Sequence, residues 1–289
     1  MNAKKIPLLF FILFVIICPI MQFKGISSFH QLPSGIYGAD YYYQMGSVNH
    51  IRYGGNPFES SSMEGGIPGY FPLYGILCAG FCNVFNFDTL HGMLYFSIVV
   101  FVMACIVWFY LFRTLFKNDW IALIGVLLAN GNLMPILKYT PFTSQIMVPL
   151  FILSLYMVFK ERKIEYYVLL GIIYGLFAIS HMVAFIGATI ILFVFLIYQL
   201  FEMYHANNIP SKNLKNTTIN ELIKKWGLLG LISAPLLLLY WYKPLFVYHL
   251  KMGYYDRVHM DTPDFARFDV QISFLINTIK RYLFNFDTL

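Results

Sequence analysis

The sequence IPLLFFILFVIICPIMQF, residues 6–23, contains no charged side chain and decides the class of fold. A helix rises about 1.5 Å per residue, so a run of this length crosses the hydrocarbon core of a bilayer. A cleaved signal peptide is the alternative interpretation, but no small-x-small cleavage pattern follows at Phe23-Lys24-Gly25-Ile26. We therefore predict an uncleaved first membrane span. Lys4 and Lys5 precede it and predict a cytoplasmic N-terminus.

The composition of the whole chain indicates the same class of protein. Of its 289 residues, 59% are hydrophobic and only 12% are charged, which is too little charge to cover the surface of a water-soluble domain. The net charge of +6 is compatible with nucleic-acid binding, but the basic residues cluster between apolar runs, as in cytoplasmic loops. We expect an all-α polytopic protein of the cell membrane, with no nucleic-acid partner.

Further apolar runs predict the remaining spans and give about seven in total. They lie near Gly92–Leu115, Trp120–Pro135, Phe142–Phe159, Tyr166–Ser180, Met182–Phe201 and Trp226–Val247. Phe71–Asn86 is also apolar, and it either crosses the membrane or lies in the outer interface. If it crosses, the basic clusters around Arg113 and around Lys160 both fall outside the cell. The positive-inside rule therefore favours an interfacial helix.

This layout predicts a transmembrane domain over residues 1–248, with a large first extracytoplasmic loop of about residues 24–91 that carries interfacial helices. The cytoplasmic segments then hold eleven Lys and Arg residues, whereas the external segments before residue 249 hold Lys24, Arg52 and Lys138. Residues 249–289 are predicted to be an extracytoplasmic segment that begins a longer loop or domain.

The long polar loop carries the residues that can do chemistry. It contains the motifs Gly38-Ala-Asp40-Tyr-Tyr-Tyr, Gly54-Gly-Asn-Pro57-Phe and Tyr70-Phe-Pro72-Leu-Tyr74. An acid just beyond the end of a membrane span favours a site at the membrane surface over a simple connector.

These three motifs resemble the first external loop of the GT-C superfamily of integral membrane glycosyltransferases. The resemblance is greatest to bacterial and archaeal members related to protein mannosyltransferases and to lipid A aminoarabinose transferase. The chain departs from the family at Tyr41, where many members have a second acid, and at Pro72, which replaces a proline pair. Residues 130–144 lack the Asp-x-Asp motif of the metal-dependent oligosaccharyltransferase relatives. Family members are commonly longer, so we expect a truncated or a minimal member.

The resemblance implies that the protein transfers a sugar from a polyprenyl-phosphate carrier to a lipid, glycan or protein acceptor, with inversion of the anomeric centre. Inversion by direct displacement needs a carboxylate to take the acceptor's proton and cations to stabilise the leaving phosphate. Asp40 is the expected base. The residues expected to bind the substrate are Arg52, Lys138 and His181 near the phosphate, and Tyr42 near the sugar. We expect no cofactor; a divalent metal ion is the alternative, and no motif in the sequence supports it.

Each of these residues also has a structural interpretation. Asp40 can cap the helix that follows it, Lys138 can reach lipid head groups, His181 can cap a helix end, and Tyr42 can belong to an interfacial belt. Glu59 and Glu64 are expected to be solvated. The alternative function is a non-catalytic transporter or assembly factor for lipid-linked glycans, which is expected to carry acids within its spans.

Overall fold

A computed structural model describes residues 6–28, 32, 38–62, 66–131, 136–208 and 219–247. All regular structure in these ranges is helical, with no β-strand, so the predicted all-α fold is confirmed. The helices are α1 (Ile6–Ile26), α2 (Gly38–Arg52), α3 (Pro72–Phe85), α4 (Thr89–Phe116), α5 (Asp119–Asn130), α6 (Tyr139–Phe142), α7 (Val148–Glu161), α8 (Ile164–Ala178), α9 (Met182–Asn208) and α10 (Ile219–Tyr242). One π-helical segment, Thr143–Met147, joins α6 to α7, and another, Lys243–Val247, follows α10.

Five helical stretches of the described chain are long and apolar enough to cross a membrane: Ile6–Ile26, Thr89–Phe116, Tyr139–Glu161, Met182–Met203 and Ile219–Val247. Large apolar side chains on these helices face outward, such as Phe193, which is 63% exposed, and Leu231, which is 71% exposed. Apolar surface of this extent is stable against lipid chains rather than against water. The helices therefore indicate a multi-pass membrane protein, as the sequence predicts.

Three shorter apolar helices are α3, α5 and α8. Two of them occupy positions where the sequence predicts full spans, with 12 residues in α5 and 15 in α8. At 1.5 Å per residue these helices are about 18 and 22 Å long, less than the roughly 30 Å of a hydrocarbon core. By length and composition five spans are indicated, and the layout of about seven spans stays a prediction.

The turns between the long helices use ordinary capping chemistry. The Asn118 side chain accepts hydrogen bonds from Trp120 N at 2.9 Å and from Ile121 N at 3.3 Å, and so starts α5. Lys117, just before it, ends α4 in the left-handed conformation with φ of 52°. Arg113 binds Asp119 across this turn, with Nε 2.8 Å from Oδ1. The chain therefore reverses within a few residues at a turn rich in basic side chains.

Two glycines bring α8 into close contact with α10. A Cβ atom on Gly171 would lie 2.9 Å from the carbonyl oxygen of Leu229, and one on Gly175 would lie 2.9 Å from Leu236 Cβ. Contacts this short are closer than van der Waals packing allows, so the backbones approach where a side chain would separate them. A small residue at every fourth position is a common device for packing membrane helices.

Helix α3 is hydrogen-bonded to two connections between other helices. The backbone N–H of Leu73 donates to the carbonyl of Ile179 at 3.1 Å. The buried Tyr74 hydroxyl donates to the carbonyl of Ile136 at 3.2 Å. Ile136 lies in the connection between α5 and α6, and Ile179 lies in the connection between α8 and α9. The first loop and these two connections therefore meet at one end of the helices.

The chain divides into two compact units, residues 1–243 and residues 244–289. Of the second unit, residues 244–247 are described. The predicted extracytoplasmic segment 249–289 and Glu64 lie outside the described residues.

Candidate functional site

The candidate site is centred on the carboxylate of Asp40, in the first turn of α2. Its Oδ1 accepts a 2.6 Å hydrogen bond from the hydroxyl of Tyr70, and its Oδ2 lies 2.9 Å from Lys138 Nζ. The Asp40 and Lys138 side chains are 26% and 20% exposed. A carboxylate and an ammonium group thus stand side by side where a ligand can reach both.

The position of Asp40 separates two interpretations of its role. A helix cap precedes the first helical residue, whereas α2 begins at Gly38 and Asp40 is its third residue. Its carboxylate contacts side chains from two distant segments, at sequence separations of 30 and 98 residues. Asp40 therefore makes tertiary contacts and is not the N-cap of α2.

A row of packed aromatic rings lies beside the pair formed by Asp40 and Lys138. The ring of Tyr70 packs edge-to-face on Tyr43, with centroids 4.5 Å apart, and lies 4.8 Å from the ring of Tyr139. Tyr139 in turn stacks on His181 at 5.4 Å. Contacts of this kind fix ring positions and add to the stabilisation from burial. The Tyr70 hydroxyl is therefore held in place to orient the carboxylate of Asp40.

One face of α2 supports this arrangement because residues three and four apart lie on the same side of a helix. Asp40, Tyr43 and Gln44 follow this spacing. The Gln44 side-chain oxygen accepts from the backbone N–H of Tyr139 at 3.3 Å. The Tyr43 hydroxyl accepts from Gly69 N at 3.2 Å, and a Cβ on Gly69 would lie only 2.6 Å from that hydroxyl. A side chain at position 69 would therefore displace the Tyr43 hydroxyl from this hydrogen bond.

His181 lies beside this row, but it is a neutral group rather than the cation that the sequence suggests. Its Nδ1 accepts from the backbone N–H of Ala184 at 3.3 Å, which caps the start of α9. Burial lowers the pKa of His181 below its ordinary value of 6.5, so the imidazole is uncharged at neutral pH. With Nδ1 accepting, Nε2 carries the proton and can donate to a ligand.

Arg52 is not brought to the site. It lies twelve residues beyond Asp40 on the same helix, which is about 18 Å along the axis. Its Nε donates to Asn83 Oδ1 at 3.2 Å and its Nη1 donates to Thr89 Oγ1 at 3.0 Å. The Thr89 hydroxyl also donates to the side chain of Asn49. Arg52 therefore joins the end of α2 to α3 and to the start of α4.

Tyr42, a predicted site residue, and Glu59, predicted to be solvated, also lie in surroundings that differ from the expectation. Tyr42 is 41% exposed and lies two residues beyond Asp40, so it points away from the face that carries the carboxylate. Glu59, predicted to be solvated, instead binds Lys243 with Oε1 2.6 Å from Nζ. The hydrogen bond from Lys243 lowers the pKa of Glu59 below its ordinary value.

The sequence predicts Asp40, Lys138 and His181 as site residues. It does not predict the three residues that complete the site, which are Tyr70, Tyr139 and Gln44. Tyr70 belongs to the Tyr70–Tyr74 motif, which by itself predicts no role for it, and the sequence around Tyr139 and Gln44 indicates no site. The position of Tyr70 two residues before Pro72 in this motif is the one available hint. In the described part of the chain, no three His, Cys, Asp or Glu side chains come together as a group that could hold a metal ion.

Chemically, the arrangement can bind an anionic group at Lys138 and can accept a proton at Asp40. The fold and this polar cluster together define an α-helical multi-pass membrane protein with a partly exposed Asp40–Lys138 ion pair at one end of its helices.

No family model matches the chain, and no solved structure matches it. The uncharacterized protein MJ1080 of Methanocaldococcus jannaschii is 61% identical to it over 130 residues, which are 45% of this chain and 96% of that protein. The chain therefore belongs to the same family as this archaeal protein. The shared region is less than half of the chain.

Proposed function

We propose that this protein is a membrane glycosyltransferase of the GT-C type. It transfers a sugar from a polyprenyl-phosphate carrier to a lipid, glycan or protein acceptor on the extracytoplasmic side and inverts the anomeric centre. The observation that carries the proposal is the pairing of Asp40 with Lys138 at 2.9 Å. This reaction needs a base for the acceptor and a cation for the leaving phosphate in one place.

The geometry suggests how the two groups work together. Before substrate binds, Lys138 neutralises Asp40. The phosphate of the donor draws Lys138 Nζ toward itself, and the Oδ2 of Asp40 is released to face the acceptor. As the acceptor oxygen bonds to the sugar's anomeric carbon, its proton passes to Asp40 and the bond from that carbon to the phosphate oxygen breaks. The electron pair stays on the phosphate, next to Lys138 and within reach of an N–H donor such as that of His181.

Tyr70 has a positioning role in this scheme. Its hydroxyl donates to Oδ1 of Asp40 at 2.6 Å, and its side chain is 6% exposed. A buried donor of this kind holds the carboxylate in one orientation while Oδ2 exchanges Lys138 for the acceptor. The aromatic contacts of Tyr70 with Tyr43 and Tyr139 keep the donor rigid.

We also propose that α5 and α8 cross the membrane, which makes seven spans, and that α3 lies in the outer interface. The rings of Tyr139 and His181 are in contact, although the helical stretch Tyr139–Glu161 that separates them begins at Tyr139 and is 23 residues long. At 1.5 Å per residue that is about 34 Å, so α8 has to return the chain over much of that distance. The basic turns at Arg113 and Arg162 then lie at the cytoplasmic end.

The alternative function, a non-catalytic transporter or assembly factor for lipid-linked glycans, has less support. Transporters commonly carry ionisable side chains in the middle of their spans. In the five membrane-length stretches of the described chain, the acids are Glu161, Glu202 and Glu221, each at or within two residues of a stretch end.

The test is a transfer assay with purified protein in liposomes, a panel of radiolabelled polyprenyl-phosphate sugars and a membrane extract as acceptor. Asp40→Asn keeps the size of the side chain and removes the base, so transfer is expected to fall by roughly 10²–10⁴-fold. Asp119→Asn is the matched control, because Asp119 is paired with Arg113 at the opposite turn. Transfer by Asp40→Asn at a rate near wild type would end the case for Asp40 as the base. Glycan movement across the liposome membrane without transfer would favour the alternative.

A further inference from the structure

A small, partly enclosed cavity lies beside Tyr70, the residue that binds Asp40, and is not used by the proposed reaction. Its walls come from α2, from the loop segments at residues 57–59 and 68–72, and from α3. Its volume is about 10 Å³, which is enough for one group the size of a water molecule. Its polar lining is Gln44, Ser47, His50 and Glu59.

Gln44 is the residue that indicates a ligand. Its side chain is 1% exposed, and its Oε1 is held by the backbone N–H of Tyr139 at 3.3 Å. That bond directs the amide nitrogen Nε2 to the opposite side, and Nε2 has no hydrogen-bond partner among the described residues. A buried donor left unsatisfied costs about 1–3 kcal/mol, so a partner that accepts from Nε2 is expected in the cavity.

The lining selects the chemical class of that partner. Gln44 Nε2 can only donate a hydrogen bond, whereas the Glu59 carboxylate, ionised beside Lys243, can only accept one. A hydroxyl group accepts and donates at once, so it satisfies both. A phosphate would be repelled by Glu59, and an ammonium group could not accept from Gln44.

The remaining lining is also suited to a hydroxylated ligand. The rings of Tyr70 and Phe71 and three prolines complete the wall. A few polar groups set among apolar and aromatic surfaces are typical of small-molecule sites. Because only one water-sized group fits inside, one hydroxyl enters and the body of the ligand stays at the mouth.

We infer that this cavity is a subsite that recognises one hydroxyl group of a neutral sugar or polyol, with Gln44 donating to it and Glu59 accepting from it. The inference deepens the proposed function and rests on it for the ligand's identity as the sugar of the donor or of the acceptor. Tyr70 connects the two sites, because its ring lines the cavity and its hydroxyl holds Asp40.

Gly75→Ala tests the subsite by narrowing the cavity. The new methyl group would lie 3.7 Å from Gln44 Nε2 and 3.1 Å from Ile51 Cδ1, the end of a flexible side chain. Gly80→Ala is the matched control on the same helix, because nothing lies within 4 Å of its added Cβ. Both substitutions replace glycine within α3 and gain similar helix propensity, so folding is retained and compared directly by thermal unfolding.

The first readout is binding of free neutral monosaccharides to detergent-solubilised protein, measured by saturation-transfer NMR at up to about 50 mM. We expect one or more sugars to bind wild type and Gly80→Ala, and Gly75→Ala to bind roughly tenfold or more weakly. A deoxy analogue of a bound sugar, which lacks the recognised hydroxyl, should bind wild type more weakly than the sugar does. The factor should be comparable to the loss expected for Gly75→Ala. Equal binding by Gly75→Ala and Gly80→Ala would overturn the inference, as would no binding of any sugar to wild type.

The second readout separates this inference from the proposed function and identifies the ligand's source. Asp40→Asn is expected to bind the sugars as wild type does. Loss of transfer with retained sugar binding would therefore report on the role of Asp40 as the base and would leave the subsite inference unaffected. In the transfer assay, a raised KM for the donor in Gly75→Ala assigns the hydroxyl to the donor sugar. A raised KM for the acceptor assigns it to the acceptor. Unchanged values of both KM would contradict a role in substrate recognition.

Discussion

The close approach of α8 and α10 at Gly171 allows a sharp test of how this helical frame is held together. In Gly171→Ala the added methyl carbon would lie 2.9 Å from the carbonyl oxygen of Leu229 and 3.2 Å from its Cα. Both atoms belong to the backbone, so no side-chain rotation relieves the contact. The helices have to separate by about 0.5–1 Å to restore ordinary van der Waals distances of 3.5–4.0 Å.

The expected cost follows from this geometry. Inserting a methyl group into a packed contact costs about 1–3 kcal/mol, and replacing glycine by alanine within a helix returns up to about 1 kcal/mol through propensity. Gly230→Ala on α10 receives the same propensity gain and has nothing within 4 Å of the new Cβ. The difference between the two variants therefore isolates the contact. We expect Gly171→Ala to be less stable than Gly230→Ala by about 1–3 kcal/mol.

Unfolding of the purified variants in mixed micelles, with helix content followed by circular dichroism as SDS is added, measures this difference. The combined substitution at Gly171 and Gly175 is expected to cost less than the sum of the single effects, because one separation of the helices relieves both contacts. If Gly171→Ala proved as stable as Gly230→Ala, the backbone contact between α8 and α10 would be refuted.

Two further substitutions test other contacts. Arg52→Lys should destabilise the protein by about 1 kcal/mol, because an ammonium group cannot reproduce the planar guanidinium that binds Asn83 and Thr89. A large loss of transfer with unchanged thermal stability would instead assign Arg52 to the substrate phosphate. Lys243→Gln should lower the melting temperature at pH 7. Because the pKa of Glu59 is lowered from 4.5 by Lys243, the pair's contribution is complete above that value and is lost as the pH falls further. The difference from wild type should therefore vanish in acid, and a constant difference across a melting-temperature series from pH 7 to pH 3 would contradict the ion pair.

Much of the candidate site could be named from the sequence, but its geometry could not. The sequence indicates Asp40 as an acid near a span and Lys138 as a basic residue in an external connection. They contact each other across 98 residues of chain, a distance over which no local pattern carries information. Arg52 was grouped with them because of its charge. The length of α2 places it at the opposite end of the helix, where neutral side chains bind it.

Glu59 illustrates the same limit. An acid in an irregular part of the long polar loop predicts a solvated carboxylate, and the sequence shows nothing that contradicts this. Its partner Lys243 lies 184 residues further along the chain and was absorbed into a predicted span. Gly75 is a similar case, since a glycine in an apolar run carries no sign of a neighbouring Gln44 amide.

The sequence by itself determined the solvent of the fold and the positions of its long helices, because hydrophobicity and charge act locally and a bilayer demands about 20 apolar residues in a row. The predicted run of residues 6–23 and the helix Ile6–Ile26 differ by a single turn for that reason. Tertiary structure alone decided which side chains meet. It places the phenol of Tyr70 and the ammonium group of Lys138 against Asp40. It also places the Gln44 side chain in the wall of a cavity. Such contacts depend on how the helices are oriented relative to one another. Those orientations are set by helix–helix packing, such as that of α8 on α10, and a local stretch of sequence does not encode this packing.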